Sequence, residues 1–110
     1  MREDKRKRLE AKGWKLGGAA ELLGLSPEEA AFIEIRLRLA KGLRARRLRR
    51  RVTQSDLAKS VRSSQSRIAK MEAGDPAVSI DLLVRTLLAL GASRRDVAKL
   101  ISGAPSSRAA

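Results

Sequence analysis

The sequence predicts an all-α fold, and three observations support this prediction. Apolar residues recur every three or four positions in several segments, and no segment alternates with the period of two that marks a strand. Serine or threonine precedes these segments and glycine follows several of them, as at helix ends. The length of 110 residues and a hydrophobic fraction of 43% suit one compact domain, and an aromatic fraction of 2% makes its core aliphatic.

A long first helix is predicted from Pro27 toward Arg50. Ser26 can cap it, Pro27 suits the first helical position, and Glu29 completes a capping box. Ahead of it, residues 19–23 can form one or two helical turns that Gly24 ends. The apolar residues predicted to share a face of the long helix are Ala31, Phe32, Ile35, Leu39 and Leu43.

Four shorter helices are expected to follow. They are predicted at Gln54–Val61, Gln65–Ala73, Ile80–Leu90 and Arg94–Ser102. The residues expected to cap them are Thr53, Ser64, Ser79 and Ser93. We therefore divide the chain into a basic arm with a short helical extension (1–26), a helical domain (27–102) and a frayed tail (103–110).

The composition restricts the function more than the fold. The formal net charge is +13, which exceeds what solubility requires and indicates a polyanionic partner, with nucleic acid first. The chain has no His and no Cys, so it lacks the commonest general base, a thiolate nucleophile and the usual zinc ligands. We expect no enzymatic activity, no metal and no cofactor, and a soluble intracellular protein.

Basic residues crowd the second half of the long helix. Nine Lys and Arg residues and no acidic residue lie between Arg36 and Arg51. They are too many to share one helix face, so most are expected to be solvated or to face a partner. One hypothesis is that this run alone binds RNA or DNA without sequence preference.

Two short helices joined by a tight turn are typical of a helix-turn-helix. Residues 53–74 read TQSDLAKSVRSSQSRIAKMEAG. This segment resembles the helix-turn-helix of the lambda-repressor-like (XRE) family, with the resemblance extending over about residues 36–101. It departs from the family at the turn, where Arg62 replaces the usual glycine and is expected to adopt a left-handed or altered conformation. It also has Ala73 where the family often has asparagine.

The resemblance implies a DNA-binding site. The second helix would enter the major groove and present Gln65, Ser66, Arg67 and Lys70 to base edges. Contacts with phosphate are expected from Gln54, Ser64 and Ser79, and Arg44, Arg47 and Arg51 are further candidates. The family also implies a structural role for Glu72, which is more often paired with a nearby arginine than catalytic.

The expected function is that of a transcriptional regulator, in the first place a repressor, that binds double-stranded DNA as a homodimer. The last helix, with Val97, Leu100 and Ile101, is our preferred dimer surface, and the alternative is that these residues belong to the core. An alternative is an antitoxin of the HigA type, which the N-terminal extension resembles. That hypothesis predicts a small RelE-like ribonuclease toxin as partner, bound through the apolar residues Trp14, Leu16, Leu22, Leu23, Leu25 and Phe32. The resemblance implies a cytoplasmic, nucleoid-associated bacterial protein, and no membrane contact is expected.

Overall fold

The computed structural model of the protein describes residues 22–103. This part of the chain contains five α-helices and no strand, which confirms the predicted fold class. The helices are α1 (Pro27–Arg49), α2 (Gln54–Ser60), α3 (Gln65–Glu72), α4 (Ile80–Ala89) and α5 (Arg94–Ser102). The predicted ends differ from these by at most one residue. None of the described helices is both long and apolar enough to cross a membrane.

The chain divides into two compact units, residues 1–34 and residues 35–110. In the described part of the first unit, Gly24 has φ +74° and ends a short helical stretch at Leu22 and Leu23, as predicted. Ser26 Oγ accepts a hydrogen bond from the Glu29 backbone at 3.1 Å, and Glu29 returns one to the Ser26 backbone at 2.8 Å. This reciprocal pair is the predicted capping box, and it fixes the start of α1.

The core lies in the second unit, and every helix contributes to it. Its fully buried side chains, with less than 2% exposure, are Leu39 and Leu43 from α1, Leu57 from α2, Ile68 and Met71 from α3, and Leu83, Thr86 and Leu87 from α4. Val97 of α5 is 8% exposed and completes the cluster. The core is therefore aliphatic, as the composition predicted. Of the residues predicted to share an apolar face of α1, Ile35, Leu39 and Leu43 pack in or against the core, whereas Ala31 and Phe32 are exposed.

Local capping determines where the short helices begin. Thr53, Ser64, Ser79 and Ser93 each accept a hydrogen bond from the backbone N–H three residues later, at 3.0–3.1 Å. At α5 the Asp96 carboxylate also accepts from the Ser93 backbone at 2.9 Å. The Ser93 backbone N–H, which donates to this carboxylate, holds the pKa of Asp96 below its usual value, and the Ser93 side chain and the positive charge of Arg46 add to the effect.

The first four helices end in the same turn. In each, the second residue after the last helical one has a positive φ, and the following N–H bonds back to a carbonyl five residues earlier, as in a Schellman motif. Gly74 and Gly91 hold this position after α3 and α4. Arg51 and Arg62 hold it after α1 and α2, each with φ 57°. The left-handed conformation expected of Arg62 is confirmed, whereas that of Arg51 was not predicted.

Arginines of α1 connect this helix to the rest of the second unit. Arg36 donates to the Val78 carbonyl just before α4, and Arg38 donates to the Gly103 carbonyl after α5 at 3.3 Å. Arg46 pairs with Asp96 at 3.0 Å, and the guanidinium of Arg50, the residue after α1, lies over Gly91. Together with Arg47, described below, five of the nine basic residues in the run make contacts within the domain. As expected for most of the run, five of the nine are exposed, namely Lys41, Arg44, Arg49, Arg50 and Arg51.

Candidate nucleic-acid interface

Helix α3 has an inner apolar face and an outer polar face. Ile68 and Met71 are completely buried, which fixes the rotation of the helix about its own axis. The outer residues are all exposed, and they are the four predicted base contacts, Gln65, Ser66, Arg67 and Lys70. The period of the helix thus places all four on the side away from the core.

A shallow groove runs along this outer face. Its lining consists of polar residues of α3 and its cap on one side and the loop before α4 on the other, namely Ser64, Ser66, Arg67, Lys70, Ala77 and Val78. The loop is held in place because Asp75 Oδ1 accepts from the Ala77 N–H at 2.8 Å and Arg36 donates to the Val78 carbonyl. The groove therefore lies between a helix and a hydrogen-bonded loop, and two cations, Arg67 and Lys70, border it.

The first residues of α2 and α3 contact each other through their side chains. Gln65 Nε2 donates to Gln54 Oε1 at 2.6 Å, and we call these two residues the amide pair. Gln54 Nε2 in turn donates to Glu72 Oε1 at 3.1 Å. Since an amide nitrogen carries two N–H groups, Gln54 keeps one donor for another acceptor.

The amide pair is anchored to a buried ion pair. Arg47 Nε and Nη2 donate to the two carboxylate oxygens of Glu72 at 2.5 and 3.0 Å. The two side chains are 10% and 4% exposed. Arg47 Nη1 also donates to the Val52 carbonyl at 2.9 Å. The hydrogen bond to Glu72 raises the pKa of Arg47 above its usual value, while burial opposes this increase.

The same contacts correct the expectation that Arg47 binds phosphate. Each nitrogen of its guanidinium has a partner inside the domain, and the residue is only 8% exposed. Glu72 has the structural role that the sequence suggested, paired with an arginine. Arg44 and Arg51, by contrast, are exposed.

Two predicted phosphate contacts, Ser64 and Ser79, act as helix caps. Ser64 Oγ accepts from the Arg67 N–H at 3.1 Å and lies 3.2 Å from Ser66 Oγ. Ser79 Oγ accepts from the Leu82 N–H at 3.1 Å. The Ser79 hydroxyl therefore still has its own O–H to donate, and of the paired hydroxyls of Ser64 and Ser66 one keeps its O–H for another acceptor. Both side chains are exposed, so capping does not hide them.

Two helices packed at a tight turn, with an exposed polar face on the second helix, define a helix-turn-helix. The model of the helix-turn-helix domain family, which is of the XRE or lambda-repressor type, matches residues 38–100, more than half of the chain. The chain belongs to this family. No curated protein and no solved structure matches the chain significantly.

Two structural features of the helix-turn-helix domain were not predicted from the sequence. The link from Gln54 to Glu72 was not anticipated, and neither was the left-handed conformation of Arg51. The left-handed conformation of Arg51 could have been predicted, because Arg51 follows the last turn of a helix and precedes the Thr53 cap by two positions. The apolar residues Trp14 and Leu16, named for the antitoxin hypothesis, lie outside the described residues.

Proposed function

We propose that this helix-turn-helix protein binds a specific duplex DNA sequence and represses transcription from it. The proposal is based on one observation, namely that the Gln65 side chain is both exposed and hydrogen-bonded in place. Its side chain is exposed at the first turn of α3 and is held by Gln54, which is itself held by the buried Glu72. A polar side chain that is exposed and also fixed in position is suited to reading a base edge.

In this proposal α3 lies in the major groove with its outer face toward the bases. Gln65 suits adenine, Lys70 suits guanine O6 or N7, and Ser66 can serve several bases. Arg67 reaches guanine or a phosphate from the same face. The remaining N–H of Gln54 and the hydroxyls of Ser64 and Ser79 bind the phosphate backbone and set the register of α3 on the duplex.

We further propose that the protein acts as a homodimer on a palindromic site, with half-site centres about 10 bp or a multiple of it apart. The last helix remains the preferred dimer surface, but the three apolar residues named for it differ in how far they are exposed. Val97 is 8% exposed and lies in the core, and a Cβ placed on Gly42 would meet the Leu100 side chain at 2.5 Å. Ile101 is 41% exposed, so it is the apolar residue of the three that a second copy can cover.

The test is fluorescence anisotropy with duplex DNA from the region upstream of this gene, compared with a scrambled duplex over a series of salt concentrations. A preference of about a thousandfold together with a steep salt dependence is expected. A reporter under the control of the upstream region should fall in expression when the protein is present. A steep salt dependence without a preference would contradict the proposal and would favour a basic polyanion binder.

A second candidate function is that of an antitoxin, and one observation favours it. Leu22, Leu23 and Phe32 in the first unit are 66%, 72% and 49% exposed, which is unusual for large apolar side chains so close in sequence. In this hypothesis they pack on a small ribonuclease toxin, while the second unit represses the shared promoter. Co-purification of a ribonuclease encoded in the same operon would support it, and an operon without such a gene would contradict it.

A further inference from the structure

A four-residue pattern occurs twice in the domain, with the sequences RVTQ at 51–54 and RSSQ at 62–65. In both copies the arginine closes the preceding helix with φ 57°, the third residue caps the next helix, and the glutamine is its first residue. The two glutamines are the amide pair, joined at 2.6 Å. Because three residues span at most about 11 Å, Arg51 and Arg62 both lie close to this pair.

Packing inside the domain does not account for arginine at these two positions. The equivalent position holds glycine after α3 and α4, where an added Cβ would meet Leu37 at 2.8 Å or Arg50 at 2.9 Å. The left-handed conformation disfavours every residue with a Cβ, so glycine would be less strained after α1 and α2 as well. Arg51 and Arg62 are exposed, and among residues 22–103 their guanidinium groups have no hydrogen-bond or ion-pair partner.

One structural explanation must be separated from a functional one. A positive charge near the C-terminal end of a helix interacts favourably with the helix dipole. If this interaction outweighs the strain, arginine stabilises the turn and needs no ligand. If it does not, the strain is retained for another reason, and strained residues are concentrated at functional sites.

We propose that Arg51 and Arg62 form a backbone clamp, in which each guanidinium binds a DNA phosphate on either side of the amide pair. The planar guanidinium matches a phosphate through two parallel N–H groups. Contacts with phosphate carry no base information, so the clamp contributes equally to every duplex. The inference rests on the proposed function, because it assumes that the amide pair faces DNA.

The variants R51G, R62G and the double variant test the clamp. Glycine removes both the strain and the guanidinium, so the melting temperature should rise by a few degrees while DNA binding weakens. Each single variant is expected to raise Kd by about 3- to 10-fold, on the upstream and on the scrambled duplex alike. The plot of log K against log salt should become shallower by about 0.9 for each arginine removed per bound chain.

Two sets of controls accompany these variants. R51K and R62K keep the strained backbone and the charge, so they should retain most of the salt dependence and show no rise in melting temperature. R85Q removes an exposed arginine of α4, which is paired with Asp81 at 3.6 Å, and should leave Kd and the salt dependence unchanged. Circular dichroism of every variant confirms that the helices are retained.

Three results would overturn the clamp. A higher melting temperature with unchanged Kd and salt dependence would mean that arginine is tolerated at the turns without a ligand. A lower melting temperature would mean that it stabilises the helix ends. A loss of affinity confined to the upstream duplex would mean that the arginines read base sequence. Failure of the proposed function can be distinguished from failure of the clamp. In the first case the wild type would show no preference between the two duplexes. The salt dependence of the variants on any duplex would still test the clamp.

Discussion

Replacing Glu72 by glutamine tests whether the buried ion pair supports both the fold and the amide pair. The Glu72 carboxylate accepts three hydrogen bonds, two from Arg47 at 2.5 and 3.0 Å and one from Gln54 at 3.1 Å. Glutamine keeps the shape but has one oxygen and no charge. The Arg47 guanidinium, with a side chain that is 10% exposed, would lose its counter-ion without gaining access to water.

The expected loss of stability follows from this burial. Removing one partner of a buried ion pair costs about 3–5 kcal/mol, and the retained amide oxygen favours the lower end, about 3 kcal/mol. A domain of this size has a free energy of unfolding of about 5–15 kcal/mol, so the loss is a large fraction. At about 4–8 °C for each kcal/mol, the melting temperature should fall by roughly 12–24 °C.

Urea unfolding followed by circular dichroism measures this loss for E72Q. The matched control is D81N, the same acid-to-amide change in the pair of Asp81 with Arg85, whose side chains are 77% and 75% exposed. We expect D81N to change the free energy of unfolding by less than about 0.5 kcal/mol. A loss below about 1 kcal/mol in E72Q would refute the reasoning. The double variant R47M/E72M, which removes both charges, should recover much of the stability.

Three further predictions concern the interface and the helix ends. Q65A should weaken binding to the upstream duplex by about 1–3 kcal/mol and relax one base position, measured by anisotropy on single-base variants; an equal loss on scrambled DNA would show that Gln65 reads no base. The backbone N–H and the side chain of Ser93 lower the pKa of Asp96, so the stability that this carboxylate contributes is present at neutral pH and is lost as the pH falls through the lowered pKa. The stability of D96N should therefore approach that of the wild type in acid, and a difference that does not change with pH would contradict this. G74A should destabilise the domain by about 1–2 kcal/mol, because φ is +74° and the new Cβ would meet Leu37 at 2.8 Å; an unchanged urea midpoint would contradict this prediction.

Local chemistry explains why the helices could be predicted from the sequence. A cap such as Ser64 bonds to a backbone N–H only three residues away, and the glycine or arginine that ends a helix acts over a similar distance. The outer face of α3 followed from the same local information, since Ile68 and Met71 define the inner face and leave Gln65 and Lys70 outside.

The partners of the α1 arginines could not be predicted in this way. Arg36 and Arg38 reach carbonyls 42 and 65 residues away, and Arg46 pairs with a carboxylate 50 residues away. Nothing in a run of like charges indicates which member meets which acceptor, because that depends on how the helices cross. The contact of Gln54 with Gln65 has the same origin, since it depends on the angle between α2 and α3.

The amide pair also has a consequence for the thermodynamics of association. Long polar side chains usually lose rotamer entropy when they bind, at a cost of about 0.5–1.5 kcal/mol each. In this protein, Gln54 and Gln65 already occupy one arrangement before any DNA arrives. Because these hydrogen bonds form on folding, the two side chains should contribute less than unpaired glutamines to the entropy of association measured by calorimetry.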